Sequence, residues 1–408
     1  MTQSFPSPSS DPAAVPARPR IPLVPVLSGA AFRGGGGARP PGVLDAPQVR
    51  LVTSGRIALG LALRAAGVKE GDAVLLPAYH SLSMVPPVLW LKATPRFYRV
   101  DAGARADLDD IAALCDADGA RVKALVATHY FGFPQDLAAL RALCDARGIA
   151  LVEDCAHAFF GEYGGKPLGS HGDYAIASTM KFFPMYEGGA LVSARHRLDD
   201  VVLRSAGKGF EAKALLATLE NGFAYGRLAG VKALLALPLR AKDLLWGRIK
   251  AARPAAAATA LAPGSSDSDA SFDPRWLDKR SSWFSRLLLK RVSHARIVAL
   301  RRRHYQDLHA ALAGRPGCRP LHPALPDGVC PWLFPLLVDD ADAAFARIRA
   351  LGVPVVRFAE SLWPGMDPAR CANSATLSRH VLAFPCHQEL TAAEFDWLRA
   401  RLAEVFAA

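Results

Sequence analysis

At 408 residues the chain is too long for one ordinary core and suits a large domain with a smaller companion. Its 51% hydrophobic and 21% charged residues exclude global disorder, and no run has the unbroken apolar length of a spanning helix. The net charge of +12 is local: 20 Lys and Arg face 7 Asp and Glu between Arg204 and His304, against 29 and 30 elsewhere. No basic groove interleaved with aromatics accompanies it, so nucleic acid is not an expected partner.

Residues 1–20 are rich in Pro and Ser, lack a basic-then-apolar leader pattern, and are expected to form a disordered tail. The glycine run from Gly34 to Gly37 is followed by Pro40 and Pro41 rather than by a helix, so it reads as a turn and not as a phosphate cradle. Residues 21–203 read as a large α/β domain. Buried strands are predicted at Ala73–Pro77, Arg96–Val100, Ala124–Thr128, Ala150–Glu153, Tyr174–Ala177 and Gly189–Ser193. Helical spacing predicts helices at Ile57–Ala66, Leu108–Cys115 and Asp136–Arg147 between them. Strands alternating with helices imply a mostly parallel sheet covered on both faces, with ligands beyond the carboxyl ends of the strands.

Residues 204–282 form a basic helical insertion that contains a linker at 254–274. Within it, Leu215–Arg253 interleaves Leu, Ala and Val with Lys and Arg and ends near Trp246. Three uses are open: a solvated basic face over a dimer or active site, peripheral contact with an anionic membrane, or binding of an acidic nucleotide-sugar. Residues 283–408 read as one long connecting helix, Trp283–Leu312, and a small C-terminal α/β domain. That domain is expected to hold strands at Leu333–Val338 and Val381–Phe384 and helices at Ala341–Leu351 and Thr391–Phe406. Seven scattered cysteines without a CxxC pair point to reduced thiols in the cytoplasm and away from a metal site.

Three polar stations fall at strand ends. Ser54-Gly55-Arg56 opens a helix whose free N–H groups and dipole suit a phosphate, although Ser54 serves equally well as a plain cap. Glu153-Asp154 ends a buried strand, where an unpaired carboxylate is costly unless it meets a cation such as a protonated ring nitrogen; a solvent-facing strand end is the alternative. Lys181 stands in the apolar run Ser178–Pro184, where desolvation would lower its pKa and make it a nucleophile able to form an imine; a snorkelling surface lysine is the alternative.

Together these stretches resemble the DegT/DnrJ/EryC1/StrS aminotransferases, sugar aminotransferases of pyridoxal-phosphate (PLP) fold type I. The resemblance runs through TSGRIALGLAL (53–63), GVKEGDAVLLPAYH (67–80), the stretch 124–158 with EDCAHA, and STMKFFPMYEGGALV (178–192). A weaker match covers RRRHYQDLHAAL (301–312) and LAFPCHQEL (382–390). It implies the type I fold, a mostly parallel central sheet flanked by helices, with a small C-terminal domain. It implies PLP as cofactor and Lys181 as the residue that holds it covalently. Asp154 then keeps the ring nitrogen protonated, His157 lies near the ring oxygen, and Ser54, Gly55, Arg56 and Ser178 take the phosphate.

Where the family carries a ring that stacks on the cofactor, Ser81 stands here; His80 is the expected substitute ahead of Tyr79, and the alternative is that both rings simply pack in the core. The family's Gly-x-Asn-x-Arg loop is not recognisable; Tyr225-Gly226-Arg227 is a faint echo of it. The implied reaction moves an amino group, by family habit from glutamate, to a nucleotide-linked keto sugar for polysaccharide or glycoconjugate synthesis, in a cytoplasmic homodimer. Two alternatives are a divergent PLP-binding protein without turnover, and a PLP enzyme acting on a non-sugar or lipid-linked substrate.

Overall fold

The computed structural model describes residues 18–34, 38–117, 121–236 and 271–407. Most of the expected tail, Gly35–Gly37, the basic stretch beyond residue 236 with Trp246, and the linker up to residue 270 lie outside the described residues.

Seven strands build the main sheet: β1 (Gln48–Val52), β2 (Asp72–Pro77), β3 (Thr94–Tyr98), β4 (Arg121–Thr128), β5 (Ala150–Asp154), β8 (Tyr174–Ala177) and β9 (Gly189–Ser193). A short hairpin of β6 (Glu162–Tyr163) and β7 (Lys166–Pro167) interrupts the series. The order across the sheet is β1-β9-β8-β5-β4-β2-β3. β3, β2, β4, β5 and β8 run parallel, while β9 lies antiparallel between β8 and β1. Alternate side chains feed two apolar clusters, Leu75, Leu125 and Leu151 on one face and Val74, Val126 and Val152 on the other. That double burial explains why β2, DAVLLP, reads as a continuous apolar run.

Register places the site. Thr128 pairs with Asp154 and Asp154 with Ile176, so the carboxyl ends of β4, β5 and β8 finish level. The helix Gly55–Ala65 (α1) starts from the same edge of the sheet, because β1 exits there. The pattern did not reveal β1, since Arg50 interrupts it. In the fold Arg50 is accommodated at that edge strand by donating to the carbonyls of Leu198 (2.8 Å) and Val201 (3.1 Å).

A smaller antiparallel sheet, β10 (Cys318–Pro320), β11 (Leu333–Val338) and β12 (Val381–Pro385), packs with the helices Ala341–Leu351 and Ala392–Val405 around a third apolar cluster. The expected single helix 283–312 is two helices, Trp283–Arg291 and His294–Leu312. Val292 is extended between them, and Ser293 caps the second helix by accepting from the Arg296 N–H at 3.3 Å. The short polar signal of an N-cap was present in the sequence but lay within a continuous helical periodicity.

His322 supplies a pH-dependent element of this packing. Its ring stacks on Phe133 with centroids 3.7 Å apart, and its buried Nε2 has no hydrogen-bond partner among the described residues. Burial, helped by the Arg105 charge, pushes its pKa down from 6.5 to about 4. A depressed folded pKa means that the neutral ring's stability is fully present above 6.5 and is lost as pH falls towards 4. At pH 5 that loss is about 2 kcal/mol. His322→Phe keeps the stack and should shrink the fall in urea-unfolding free energy between pH 7.5 and 5 by about that amount. An unchanged pH dependence would show that the ring protonates freely in the native state.

Candidate active site

β5 ends in two acidic residues that strand alternation sends to opposite faces. Glu153 turns away from the cleft and pins the loop after β7, accepting from the N–H groups of Gly169 (3.0 Å), His171 (2.7 Å) and Gly172 (2.7 Å). Burial alone would raise its carboxyl, but His129, 3.2 Å away, and those N–H groups outweigh burial and hold it below the usual range. Asp154 faces the cleft. It accepts from Thr128 Oγ1 at 3.2 Å and from the Ala156 N–H at 2.9 Å, and burial raises its pKa despite those bonds and the nearby Lys181 charge. A raised carboxyl in a cavity wall is one that a cation would stabilise.

β8 leads through Ser178 into a tight turn, Thr179–Lys181. The Thr179 N–H donates to the Gly188 carbonyl at 3.1 Å, and the buried rings of Phe182 and Phe183 pack against Phe159 and Phe160. These anchors leave Met180 and Lys181 as the residues of the turn that line the cleft. Lys181 is half-buried rather than enclosed, with Nζ 4.2 Å from the centre of the Trp332 ring. Its carbonyl accepts from Arg301 Nη2 at 2.8 Å.

Ser54 caps α1, accepting from the Ile57 N–H at 3.3 Å, which leaves its hydroxyl hydrogen to donate elsewhere. β9 begins directly against this turn. A Cβ on Gly189 would lie 2.3 Å from the Ser54 carbonyl carbon, so only glycine allows the approach. Arg56 lines the cleft and donates to the Ser271 carbonyl. Ser54, Gly55, Arg56, Asp154, His157, Ser178 and Lys181 thus border one cavity.

His157 stacks on Trp332 (3.8 Å, 25°), with the Phe358 ring centred 4.8 Å away in a T-shaped arrangement. Burial first, then the Lys181 charge, pushes its pKa well below 6.5, so the ring is neutral; its buried Nδ1 has no partner among the described residues. His80 does not join this group. Its ring packs on Phe97 (4.7 Å, 19°), Nδ1 donates to the Ala78 carbonyl (3.0 Å), and Nε2 accepts from the Trp363 N–H (3.1 Å). With both nitrogens and one face engaged, His80 is a core bracket, and Ser81 faces the cavity instead.

The aromatic side chain that does line the cavity is Phe358, which sequence reading missed, as it missed Trp332 beside it. Neither belongs to a local motif, and both arrive through the small sheet and its loops. Ala359, in a left-handed conformation (φ 57°), follows Phe358, and its carbonyl accepts from Ser378 Oγ at 2.5 Å. Arg227 of the faint loop echo points elsewhere, donating to Glu394 Oε2 (2.5 Å) and the Glu389 carbonyl (3.1 Å).

A model of the DegT/DnrJ/EryC1/StrS aminotransferase family matches residues 44–238. A UDP-N-acetyl-3-dehydro-alpha-D-glucosamine 3-aminotransferase of Acidithiobacillus ferrooxidans is 36% identical over 152 residues, 36% of this chain and 40% of that protein. A GDP-perosamine synthase of Escherichia coli O157:H7 is 33% identical over 163 residues, 39% of this chain and 43% of that protein. The chain therefore spans about two fifths of the length of these relatives. A Streptococcus pneumoniae protein solved in its PLP form superposes with a TM-score of 0.64 at 16% identity, covering 95% of this chain and 98% of that one. At that identity the likeness is one of fold, an α/β architecture with a mostly parallel central sheet and flanking helices.

Proposed function

The chain belongs, over residues 44–238, to the DegT/DnrJ/EryC1/StrS aminotransferase family, and on that premise we propose that it is a PLP-dependent aminotransferase. In this reading glutamate gives the amino group and a nucleotide-linked keto sugar receives it, in polysaccharide or glycoconjugate synthesis. The donor leaves as a keto acid while the acceptor's ketone becomes an amine.

One observation carries the reading: a lysine amine, a cleft-facing carboxyl with a raised pKa and a helix N-terminus border a single cavity. The residues present fit PLP. Asp154 wants a cation, the unpartnered Nδ1 of His157 can meet a polar ring substituent, and the α1 terminus suits a phosphate. When bound, PLP supplies an electron-accepting ring that stores the amino group between donor and acceptor.

Lys181 would hold the cofactor covalently and, once displaced by the donor's amine, would take the proton from the donor's α-carbon. Asp154 would hold a proton on the ring nitrogen. Ser54, Gly55, Arg56 and Ser178 would bind the phosphate, and Phe358 would close the cavity where the family has its stacking ring. A homodimer belongs to this reading. So does a cytoplasmic location; no helix among the described residues is long and apolar enough to cross a membrane.

Purified protein given PLP should show visible absorbance that glutamate bleaches and a keto sugar restores. A band that amino acids leave unchanged would favour the divergent, non-catalytic alternative. Asp154→Asn should keep some bound cofactor yet lose activity by roughly 10²–10⁴-fold, because a neutral amide cannot hold the ring proton. Near-wild-type turnover in that variant would contradict the role given to Asp154.

A further inference from the structure

A second cavity, of about 440 Å³, opens beside the first and shares Met180, Lys181 and Phe358 with it. That volume is in the range of small-molecule sites. Its other walls are largely hydrocarbon, including Val24, Leu82, Trp332, Phe345, Val355 and Val356. Of the polar lining groups besides Lys181, Glu360 and Ser361 are exposed to solvent, and Arg357 is largely committed to the protein. The Arg357 guanidinium lies 4.5 Å over the Phe345 ring, pairs with Asp342 at 2.6 Å and donates to the Ala341 carbonyl at 2.9 Å.

Such walls discriminate. A hydroxyl buried there without a partner costs about 1–3 kcal/mol, whereas each buried methylene gains about 0.8 kcal/mol, near fourfold in affinity. We propose that this cavity seats a hydrocarbon substituent of the keto acceptor. The acceptor class is then a keto sugar that carries an alkyl- or acyl-type substituent, and a hydroxylated group is disfavoured in this cavity. The inference rests on the aminotransferase reading, since contact with Lys181 is what makes the occupant an acceptor. A group in the second cavity brings an attached carbonyl to the shared wall formed by Lys181 and Met180.

The test uses PLP-loaded protein and calorimetric titration with 4-methyl-, 4-propyl- and 4-pentylcyclohexanone. Kd should fall about fourfold per added methylene, with a heat-capacity change that grows more negative along the series. Val356→Asp, and separately the milder Leu82→Asn, should weaken 4-pentylcyclohexanone by tenfold or more while the visible absorbance and the PLP dissociation constant stay unchanged. A Kd that is flat along the series, or variants that bind as wild type does, would overturn the proposal. Wild-type protein that takes up no PLP would sink the aminotransferase reading itself. A glutamate-responsive holoprotein with a flat series would sink only the hydrocarbon cavity.

Discussion

Replacing Lys181 by alanine should abolish the visible absorbance of PLP-loaded protein and reduce turnover by at least about 10⁴-fold, since one amine serves as both nucleophile and proton carrier. The fold should hardly notice. Lys181 is half-buried, and one contact of its ammonium, with the Trp332 ring at 4.2 Å, is of a kind worth about 0.5–2 kcal/mol. Circular dichroism and urea unfolding should therefore change little while chemistry disappears. A variant that keeps its colour after gel filtration and turns over at the wild-type rate would end the mechanism.

Arg301→Ala should destabilise the protein by about 3–5 kcal/mol, the range for orphaning buried charged or strongly hydrogen-bonded partners. Arg301 is fully buried on the helix His294–Leu312. Its guanidinium donates to four acceptors from three parts of the chain: Gln388 Oε1 (2.9 Å), the Pro331 (3.1 Å) and Trp332 (2.9 Å) carbonyls, and the Lys181 carbonyl (2.8 Å). It also lies 4.5 Å over Phe182.

Burial lowers its pKa, so removing the charge returns part of the cost, but the four acceptors left behind lose their donors in a largely buried setting. Arg301→Lys keeps the charge without the planar fork and should lose less stability than the alanine variant. Because Arg301 holds the backbone of the Lys181 turn, the lysine variant should also weaken PLP binding, read from the dissociation constant of the coloured complex. Urea denaturation of both variants is the check. Wild-type stability in Arg301→Ala would show that the fan of hydrogen bonds contributes nothing net.

Much of the large sheet and most of the proposed site were readable along the chain. Strands of the parallel sheet announce themselves as short, doubly buried apolar runs, and the polar residues that end them lie at the ligand edge by the geometry of the fold. Thus Ser54, Asp154 and Lys181 were singled out from position and Ser178 through the family resemblance, and the structure brings the four to one cavity. Strand alternation also accounts for the acidic pair: one carboxyl serves the 169–172 loop and the other the cleft. In the loop after β2 no such period exists. Which of Tyr79, His80 and Ser81 met the cavity was decided by Phe97 and the Trp363 backbone, which claim the His80 ring from outside the loop.

What the residues determined by themselves was therefore local: strand against helix, which residues end a strand, where a lysine stands in an apolar run. Only tertiary structure decided what those ends meet. Trp332 and Arg301 reach Lys181, and Phe358 reaches its cavity, across more than a hundred residues of chain, and the break at Ser293 separates the helix that carries Arg301 from the one before it. Such contacts depend on shape and volume complementarity between distant segments, and no periodicity within either segment encodes that complementarity.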